Sequence, residues 1–172
     1  MNYLKKKLQG IIATMGDKWK LKTGHLFDMT SNNTPSPFVV TESNNGTDNN
    51  VGSPWNIFDV NQSTIRKVRM NSTTENCTTT LTFNLENPIK VSKIYVSLYR
   101  NGVCNNYAQY QDENNNWVTF YSLGANGTGS STVTLPTPLI VKALRWHTSQ
   151  GHSDYVVSGA YEIDVIEWYE KG

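Results

Sequence analysis

Three histidines and two cysteines are the side chains of this sequence best suited to catalysis or to binding a transition metal. They are His25, His147, His152, Cys77 and Cys104. The histidines form no H-E-x-x-H motif and the cysteines no C-x-x-C pair, so the usual ligand spacing of a zinc site is missing. The sequence also contains no G-x-S-x-G nucleophile motif. We therefore expect a protein that is not an enzyme, and whether the two cysteines pair is left open.

Polar side chains mixed with aromatic rings suggest a different chemistry, the recognition of sugars. Residues 147–158 read H-T-S-Q-G-H-S-D-Y-V-V-S and follow a predicted strand. Aromatic stacking combined with planar polar groups is typical of sugar sites. The candidate ligand residues in this segment are His147, Gln150, His152, Asp154 and Tyr155. A polar connection without a ligand would look the same, because loops are polar whether or not they bind.

A second segment of this kind covers residues 105–117, N-N-Y-A-Q-Y-Q-D-E-N-N-N-W. Tyr107 and Tyr110 alternate there with amide side chains and join the ligand candidates. Large aromatic rings in strand patterns are more often buried than exposed. We therefore expect three rings in the core: Trp117, Trp146 and Trp168.

Short strands joined by loops are predicted to position these segments. Apolar residues make up 37% of the chain and charged residues 17%, and the many Asn, Ser and Thr residues favour turns and strand surfaces. Alternation of apolar and polar residues predicts strands over residues 80–85, 93–99, 117–121, 131–135, 140–147 and 161–168. Turn signals separate them, at residues 86–88, 101–102 and 136–138 among others. This texture predicts an all-β sandwich or jelly roll.

The N-terminal segment differs from the rest of the chain. Residues 3–20 have an apolar stripe at helical spacing, which predicts a short helix that packs on its own domain or on a partner subunit; attachment to a membrane surface is the alternative. Six lysines against one aspartate give residues 1–25 a charge of +5, so with a net charge of +1 the remainder, residues 26–172, carries about −4. That balance argues against nucleic acid. The apolar run is shorter than the ~7 to 15 residues of a signal peptide, and no stretch reaches the ~20 residues of a membrane span.

Four segments, in this order, resemble the discoidin or coagulation factor 5/8 type C family. They are S-N-N-T-P-S-P-F-V-V-T-E-S (residues 31–43), P-W-N-I-F-D-V-N-Q-S-T (54–64), T-L-T-F-N-L-E-N-P-I-K-V-S-K-I-Y-V (80–96) and A-Y-E-I-D-V-I-E-W-Y (160–169). The resemblance implies a galactose-binding-like β-sandwich, also known as a carbohydrate-binding module, over roughly residues 30–170. Members of that family bind glycans or lipid headgroups at loops on one end of the sandwich.

The same resemblance implies a structural calcium ion. In that family an A-F-D-G-N-x-x-T-x-W turn often holds calcium, and a glutamate from the last strand completes the site. Matched to this sequence, Asp59, Thr64 and the backbone of Asn61 would face Glu162, which supplies the hard oxygen ligands that calcium prefers. Val60 stands where the family has glycine, and Ile65-Arg66 replaces the end of the motif. The alternative is an Asx-type turn without metal.

Residues 30–40 with the D-x-N-x-S-T turn also resemble versions found in bacteriophage virion and tail proteins. This implies a non-enzymatic virion protein that decorates a capsid or tail and adheres to host surface carbohydrate, with residues 1–25 docking on other virion proteins. One alternative is a lectin-like module or an accessory subunit of a carbohydrate-active enzyme, located outside the cell or at its surface. Another is a glycan hydrolase, for which Asp154 with Glu162 is one pair of carboxylates.

Overall fold

The computed structural model describes residues 19–45, 47–70, 77–150 and 156–171. Within these ranges the chain forms nine strands and one 3-10 helix, the latter at Pro54–Phe58. The strands are β1 Trp19–Thr23, β2 Val39–Asn45, β3 Thr47–Val51, β4 Arg66–Met70, β5 Cys77–Asn101, β6 Asn105–Gln111, β7 Trp117–Ser122, β8 Gly127–Gln150 and β9 Val156–Lys171. Every strand pairing among them is antiparallel.

Two long strands, β5 and β8, connect the two layers of the sandwich. The first sheet consists of β2, residues 77–84 of β5, residues 143–150 of β8, then β6 and β7. The second consists of β3, β4, β9, residues 90–101 of β5 and residues 127–141 of β8, with β1 on the free side of β9. The predicted all-β sandwich is therefore confirmed.

The core lies between the two sheets and follows from strand alternation, since successive side chains point to opposite faces. Leu81, Phe83, Leu144 and Trp146 are fully buried on the inner side of the first sheet. The second sheet contributes a matching set of buried residues: Ile94, Val96, Leu98, Ile163 and Val165. The buried positions expected for Trp146 and Trp168 are confirmed, with exposures of 0% and 8%.

Two predicted turns lie inside strands. Residues 86–88 belong to β5 and residues 136–138 to β8. The register of the β5–β8 pairing shifts at both segments. One shift lies between Asn84 and Ile89 of β5, and the other lies between Val91 and Lys93, opposite residues 136–138 of β8. A bulge of this kind tolerates proline, which lacks the N–H that a regular ladder needs. The prolines therefore mark changes of register in a continuing strand.

The predicted N-terminal helix is overturned where the structure describes it. Trp19 and Lys20 belong to β1, which pairs with β9 in the register Trp19 to Lys171 and Thr23 to Glu167. Backbone hydrogen bonds to the end of β9 outweigh the helical spacing of the apolar residues, as tertiary context commonly does. Residues 1–18, which carry the rest of the prediction, lie outside the described residues. Among the described residues, no helical segment has the length and hydropathy of a membrane span.

Candidate functional site

The turn between the 3-10 helix and β4 gathers oxygen atoms around Thr64. Its Oγ1 lies 2.9 and 2.8 Å from the two carboxylate oxygens of Asp59 and 2.7 Å from the carbonyl oxygen of Asn61. The carbonyl oxygen of Asn56 is 3.4 Å away. A hydroxyl has one hydrogen to donate, so these acceptors outnumber the donor that Thr64 supplies. Carboxylate, carbonyl and hydroxyl oxygens gathered at one point are the ligands that a hard cation prefers.

The Asx-type turn is also present. The backbone N–H of Asn61 donates to Oδ1 of Asp59 at 3.0 Å, and the side-chain amide of Asn56 donates to its Oδ2 at 3.1 Å. The N–H of Ser63 donates to Oδ1 of Asn61 at 3.0 Å. Each carboxylate oxygen of Asp59 can accept more than one partner. The turn therefore holds Asp59 and Asn61 in place with or without a cation.

Glu162 projects from β9 beside this turn. It is 2% exposed, and neither of its carboxylate oxygens makes a hydrogen bond of normal geometry with the described residues. Burial, followed by the charges of Asp164 and Asp59, raises the pKa of Glu162 to about 8; the backbone N–H of Val60, which approaches the carboxylate without reaching that geometry, opposes the shift. A buried carboxylate without a partner is costly unless it holds a proton or faces a cation.

Asp59, Thr64, the Asn61 carbonyl and Glu162 therefore fit a calcium ion on two observations, the oxygens that converge on Thr64 and the buried Glu162 carboxylate beside them. The part of the chain that the structure describes contains no group of three or more His, Cys, Asp or Glu side chains arranged to hold a metal. Carbonyl and hydroxyl oxygens would have to complete the ligand set, which suits calcium better than a transition metal. The calcium ion itself stays a prediction.

Val60 occupies the turn in a conformation that favours glycine. Its φ is 60°, in the left-handed region. A β-branched residue is rare there because its side chain crowds the backbone. The valine thus follows the backbone path that the family resemblance assigns to glycine, and it stores strain beside Asp59.

Two of the ligand candidates, Tyr107 and His147, meet on the outer side of the first sheet. They are directly opposite each other on β6 and β8, and their rings stack at 13° with centroids 6.4 Å apart. Nδ1 of His147 is hydrogen-bonded to the Thr80 hydroxyl on β5 at 2.8 Å. Burial and then the charge of Arg145 lower the pKa of His147, so its imidazole is neutral at pH 7. His147 lies within a strand, not in the predicted loop.

The next row of the same surface contains residues that sequence reasoning missed. Nε of Arg145 donates to Oε1 of Gln109 at 2.7 Å, and Nε2 of Gln109 donates to the Thr119 hydroxyl at 2.8 Å. The Arg145 guanidinium lies 4.0 Å from the centroid of the Trp117 ring. The core position expected for Trp117 is therefore wrong, because the half-buried ring lies on the outer face beneath Arg145.

We call these outward side chains the outer-face patch: Thr80, Tyr107, Gln109, Trp117, Thr119, Arg145 and His147. The signal that could have found Arg145 and Gln109 is the two-residue period of a strand, since each is two positions from a candidate, His147 and Tyr107. Pairing β6 with β8 then requires the cross-strand register, which is not visible in the sequence.

The remaining ligand candidates lie elsewhere. Tyr110 is 8% exposed and packs against Phe120, with ring centroids 6.3 Å apart. Gln150 is 2% exposed at the end of β8. His152, Asp154 and Tyr155 lie outside the described residues. The structure thus brings together Tyr107 and His147 and places neither Tyr110 nor Gln150 on the surface that they form.

No family model matches the sequence, and no curated protein matches it. The family 32 carbohydrate-binding module of NanJ from Clostridium perfringens, solved in complex with galactose, aligns with a TM-score of 0.50 at 17% identity, covering 76% of this chain and 93% of that chain. A second C. perfringens module, CpGH89CBM32-4 in complex with GlcNAc-α-1,4-galactose, aligns with a TM-score of 0.52 at 11% identity, covering 84% and 96%. These likenesses show the fold, the galactose-binding-like sandwich implied by the sequence resemblance.

Proposed function

We propose that the protein binds carbohydrate without cleaving it, and that the outer-face patch is the binding surface. The observation that carries this proposal is the parallel Tyr107–His147 pair beside the Arg145–Gln109 hydrogen bond on one outward surface. The apolar face of a sugar ring can pack on the aromatic rings. Its hydroxyls can exchange hydrogen bonds with guanidinium, amide, imidazole and threonine groups, which include both donors and acceptors.

The chemistry of the patch favours binding over hydrolysis. Glycoside hydrolases commonly use two carboxylates beside the scissile bond, whereas the seven residues of the patch include no Asp or Glu. Of the carboxylate pair considered in the sequence, Glu162 is buried beside the turn that holds Asp59 and Asp154 lies outside the described residues. The related folds were solved with galactose and with GlcNAc-α-1,4-galactose, so galactose-containing glycans are the first ligands to test.

A glycan array tests the proposal, run with the wild-type protein and with Tyr107→Ala. Removing one stacking ring should lower the affinity for a bound glycan about tenfold, equivalent to about 1.4 kcal/mol. Tyr95→Ala is the matched control, because Tyr95 is a half-buried tyrosine on the second sheet. An equal loss of glycan affinity in both variants, or no loss in Tyr107→Ala, would mean that the ligand binds to another surface. Silence on every glycan would reject carbohydrate binding, and hydrolysis of any glycan would reject the non-enzymatic role.

We further propose that residues 59–64, which we call the oxygen-rich turn, hold a structural calcium ion. Asp59, Thr64 and the Asn61 carbonyl come from the turn, and Glu162 comes from β9, so the ion would tie the turn to the second sheet. The outer-face patch lies on the first sheet. Calcium should therefore raise stability and should leave the identity of the glycan ligand unchanged in the array.

The biological setting rests on the sequence resemblance. We propose a virion protein that docks through its N-terminal residues; a lectin-like module or an accessory subunit of a carbohydrate-active enzyme would use the same binding surface. Because Trp19–Thr23 form a strand of the second sheet, a deletion that tests docking should stop at residue 18. Loss of incorporation into particles, with glycan binding retained, would support the virion role. Normal incorporation of the truncated protein would reject docking by this segment.

A further inference from the structure

A second concave surface lies where β1, the end of β9 and the register shift of β5 meet. Its volume is about 360 Å³, within the range of ~300 to 1,000 Å³ typical of small-molecule sites. The residues that line it are Trp19, Asn87, Pro88, Ile89, Tyr169, Glu170 and Lys171. Two aromatic rings and two aliphatic side chains thus meet polar groups at one opening. We call this cavity the Trp19 pocket.

Cross-strand pairing explains why these rings share one surface. Trp19 is opposite Lys171, and Tyr169 is opposite both Leu21 on β1 and Lys90 on β5. Residues that pair directly, and residues two apart on one strand, point to the same face. Leu21 is 49% exposed beside the pocket. The strand edge therefore presents an aromatic and aliphatic surface to solvent.

Positive charge is concentrated over this surface. Nζ of Lys90 lies 5.4 Å from the ring centroid of Trp19 and 5.7 Å from that of Tyr169. Nζ of Lys171 lies 5.5 Å from the same Trp19 ring. Each distance is within the ~6 Å reach of a cation–π contact. Glu170, on the rim, is paired with Lys22 at 3.3 Å, so its charge is directed towards β1.

We propose that the Trp19 pocket is a second binding site, one that takes a carboxylated sugar such as a uronic acid. A pyranose ring would pack on Trp19 and Tyr169, and its carboxylate would meet the ammonium group of Lys90, which lies near both rings. The side-chain amide of Asn87 is placed at the rim for a sugar hydroxyl.

The pocket is separate from the outer-face patch. Its residues come from β1, β9 and the second-sheet part of β5, whereas the patch lies on the first sheet. The patch contains one cationic side chain, Arg145, which is already bonded to Gln109. An acidic sugar and a neutral sugar should therefore select different surfaces of the same protein. Because different residues form the two sites, an experiment that rejects one binding site does not reject the other.

The test is isothermal titration of the full-length protein with trigalacturonic acid at low salt, beside neutral galactotriose. We expect Lys90→Met to weaken trigalacturonic acid binding at least tenfold, and a rise in ionic strength to weaken it as well, since exposed charges are screened by salt. Trp19→Phe should reduce binding less, because a smaller ring remains. Lys142→Met is the control for loss of one positive charge, and Tyr107→Ala is the control for the patch.

Several outcomes would overturn the proposal. One is that trigalacturonic acid gives no heat of binding to the wild-type protein, and another is that it binds equally to the Lys90→Met and wild-type proteins. Equal affinity for inorganic sulfate or for adenosine monophosphate would also overturn it, since the pocket would then select a bare anion or a nucleotide rather than a sugar. In NMR spectra of the wild-type protein, we expect the Trp19 indole resonance to shift on titration with trigalacturonic acid and not with galactotriose. This measurement does not depend on the folding of any variant.

Discussion

The oxygen-rich turn and the outer-face patch differ in how their polar groups are hydrogen-bonded. In the turn, several oxygen acceptors converge on the single hydroxyl of Thr64, and the buried Glu162 carboxylate makes no hydrogen bond of normal geometry in the described part of the chain. In the patch, Arg145 donates to Gln109 and Gln109 donates to Thr119, so the groups satisfy one another. A cation would therefore add new contacts in the turn, whereas a ligand of the patch would have to replace hydrogen bonds that the patch residues already make.

This difference predicts that the turn determines the stability of the protein and that the patch determines its affinity for a ligand. A buried and unsatisfied charge affects the free energy of unfolding strongly, because its desolvation is not repaid. Half-exposed hydrogen bonds contribute little to that free energy, because water replaces them when they break. Changes in the turn should therefore act on stability and changes in the patch on affinity. The predictions below test that separation.

The largest expected effect is the pH dependence of stability in the presence of a chelator. The unfolded chain loses the Glu162 proton near its ordinary pKa of 4.5, whereas the folded protein keeps it up to a pKa of about 8. The contribution of Glu162 to stability is therefore full below pH 4.5 and is lost as the pH rises to 8, a fall on the order of 5 kcal/mol. Urea unfolding at a series of pH values measures this fall.

Glu162→Gln is the matched variant for this measurement, because glutamine has the same shape and does not titrate. Its stability should change less between pH 6 and 8 than that of the wild type. A smaller fall at lower pH should remain in both proteins, since burial also raises the pKa of Asp164 to about 6. Parallel pH curves for the two proteins would mean that Glu162 is satisfied in solution, and the contrast between turn and patch would disappear.

Calcium should produce the next largest effect. A ligand that binds only the folded protein stabilises it by about 2.7 kcal/mol at one hundred times its Kd, and for a chain of this size that corresponds to a rise in Tm of roughly 5 to 10 °C. The rise should be greater at pH 8 than at pH 5.5, because calcium binds the ionised carboxylate. Differential scanning calorimetry with calcium and with chelator measures it. A similar rise in Glu162→Gln would exclude Glu162 as a ligand.

The same contrast shows what could be predicted from the sequence. Asp59, Asn61 and Thr64 lie within six positions, so a local motif reveals them, and the resemblance supplied Glu162. Arg145 and Gln109 are 36 positions apart, and only the register of β6 against β8 brings them together. Trp19 was assigned to a helix because its apolar neighbours have helical spacing, and its pairing with β9 depends on residues about 150 positions away. The periodicity of a sequence shows where strands occur but not which distant strands pair with each other.

A smaller effect is expected at Val60, in the turn. Its φ of 60° carries strain that glycine would not, and removing it outweighs the extra entropy that glycine gives the unfolded chain. We expect Val60→Gly to stabilise the protein by about 1 kcal/mol. Val60→Ala is the control, since alanine keeps part of the strain and should fall between the two. A loss of stability in Val60→Gly would show that the burial of the valine side chain matters more than its backbone.

The smallest effect on stability is expected from Thr80→Val, in the patch. Valine keeps the shape and strand propensity of threonine but removes the hydrogen bond to Nδ1 of His147. Because both groups are half-buried, water can replace this bond, and stability should change by about 0.5 kcal/mol or less. The released imidazole stacks less firmly on Tyr107, so glycan affinity should fall about threefold. Thr132→Val, on the second sheet, should change neither quantity. A stability loss of about 2 kcal/mol in Thr80→Val would make the patch part of the structural framework, and the separation between a stabilising turn and a binding face would fail.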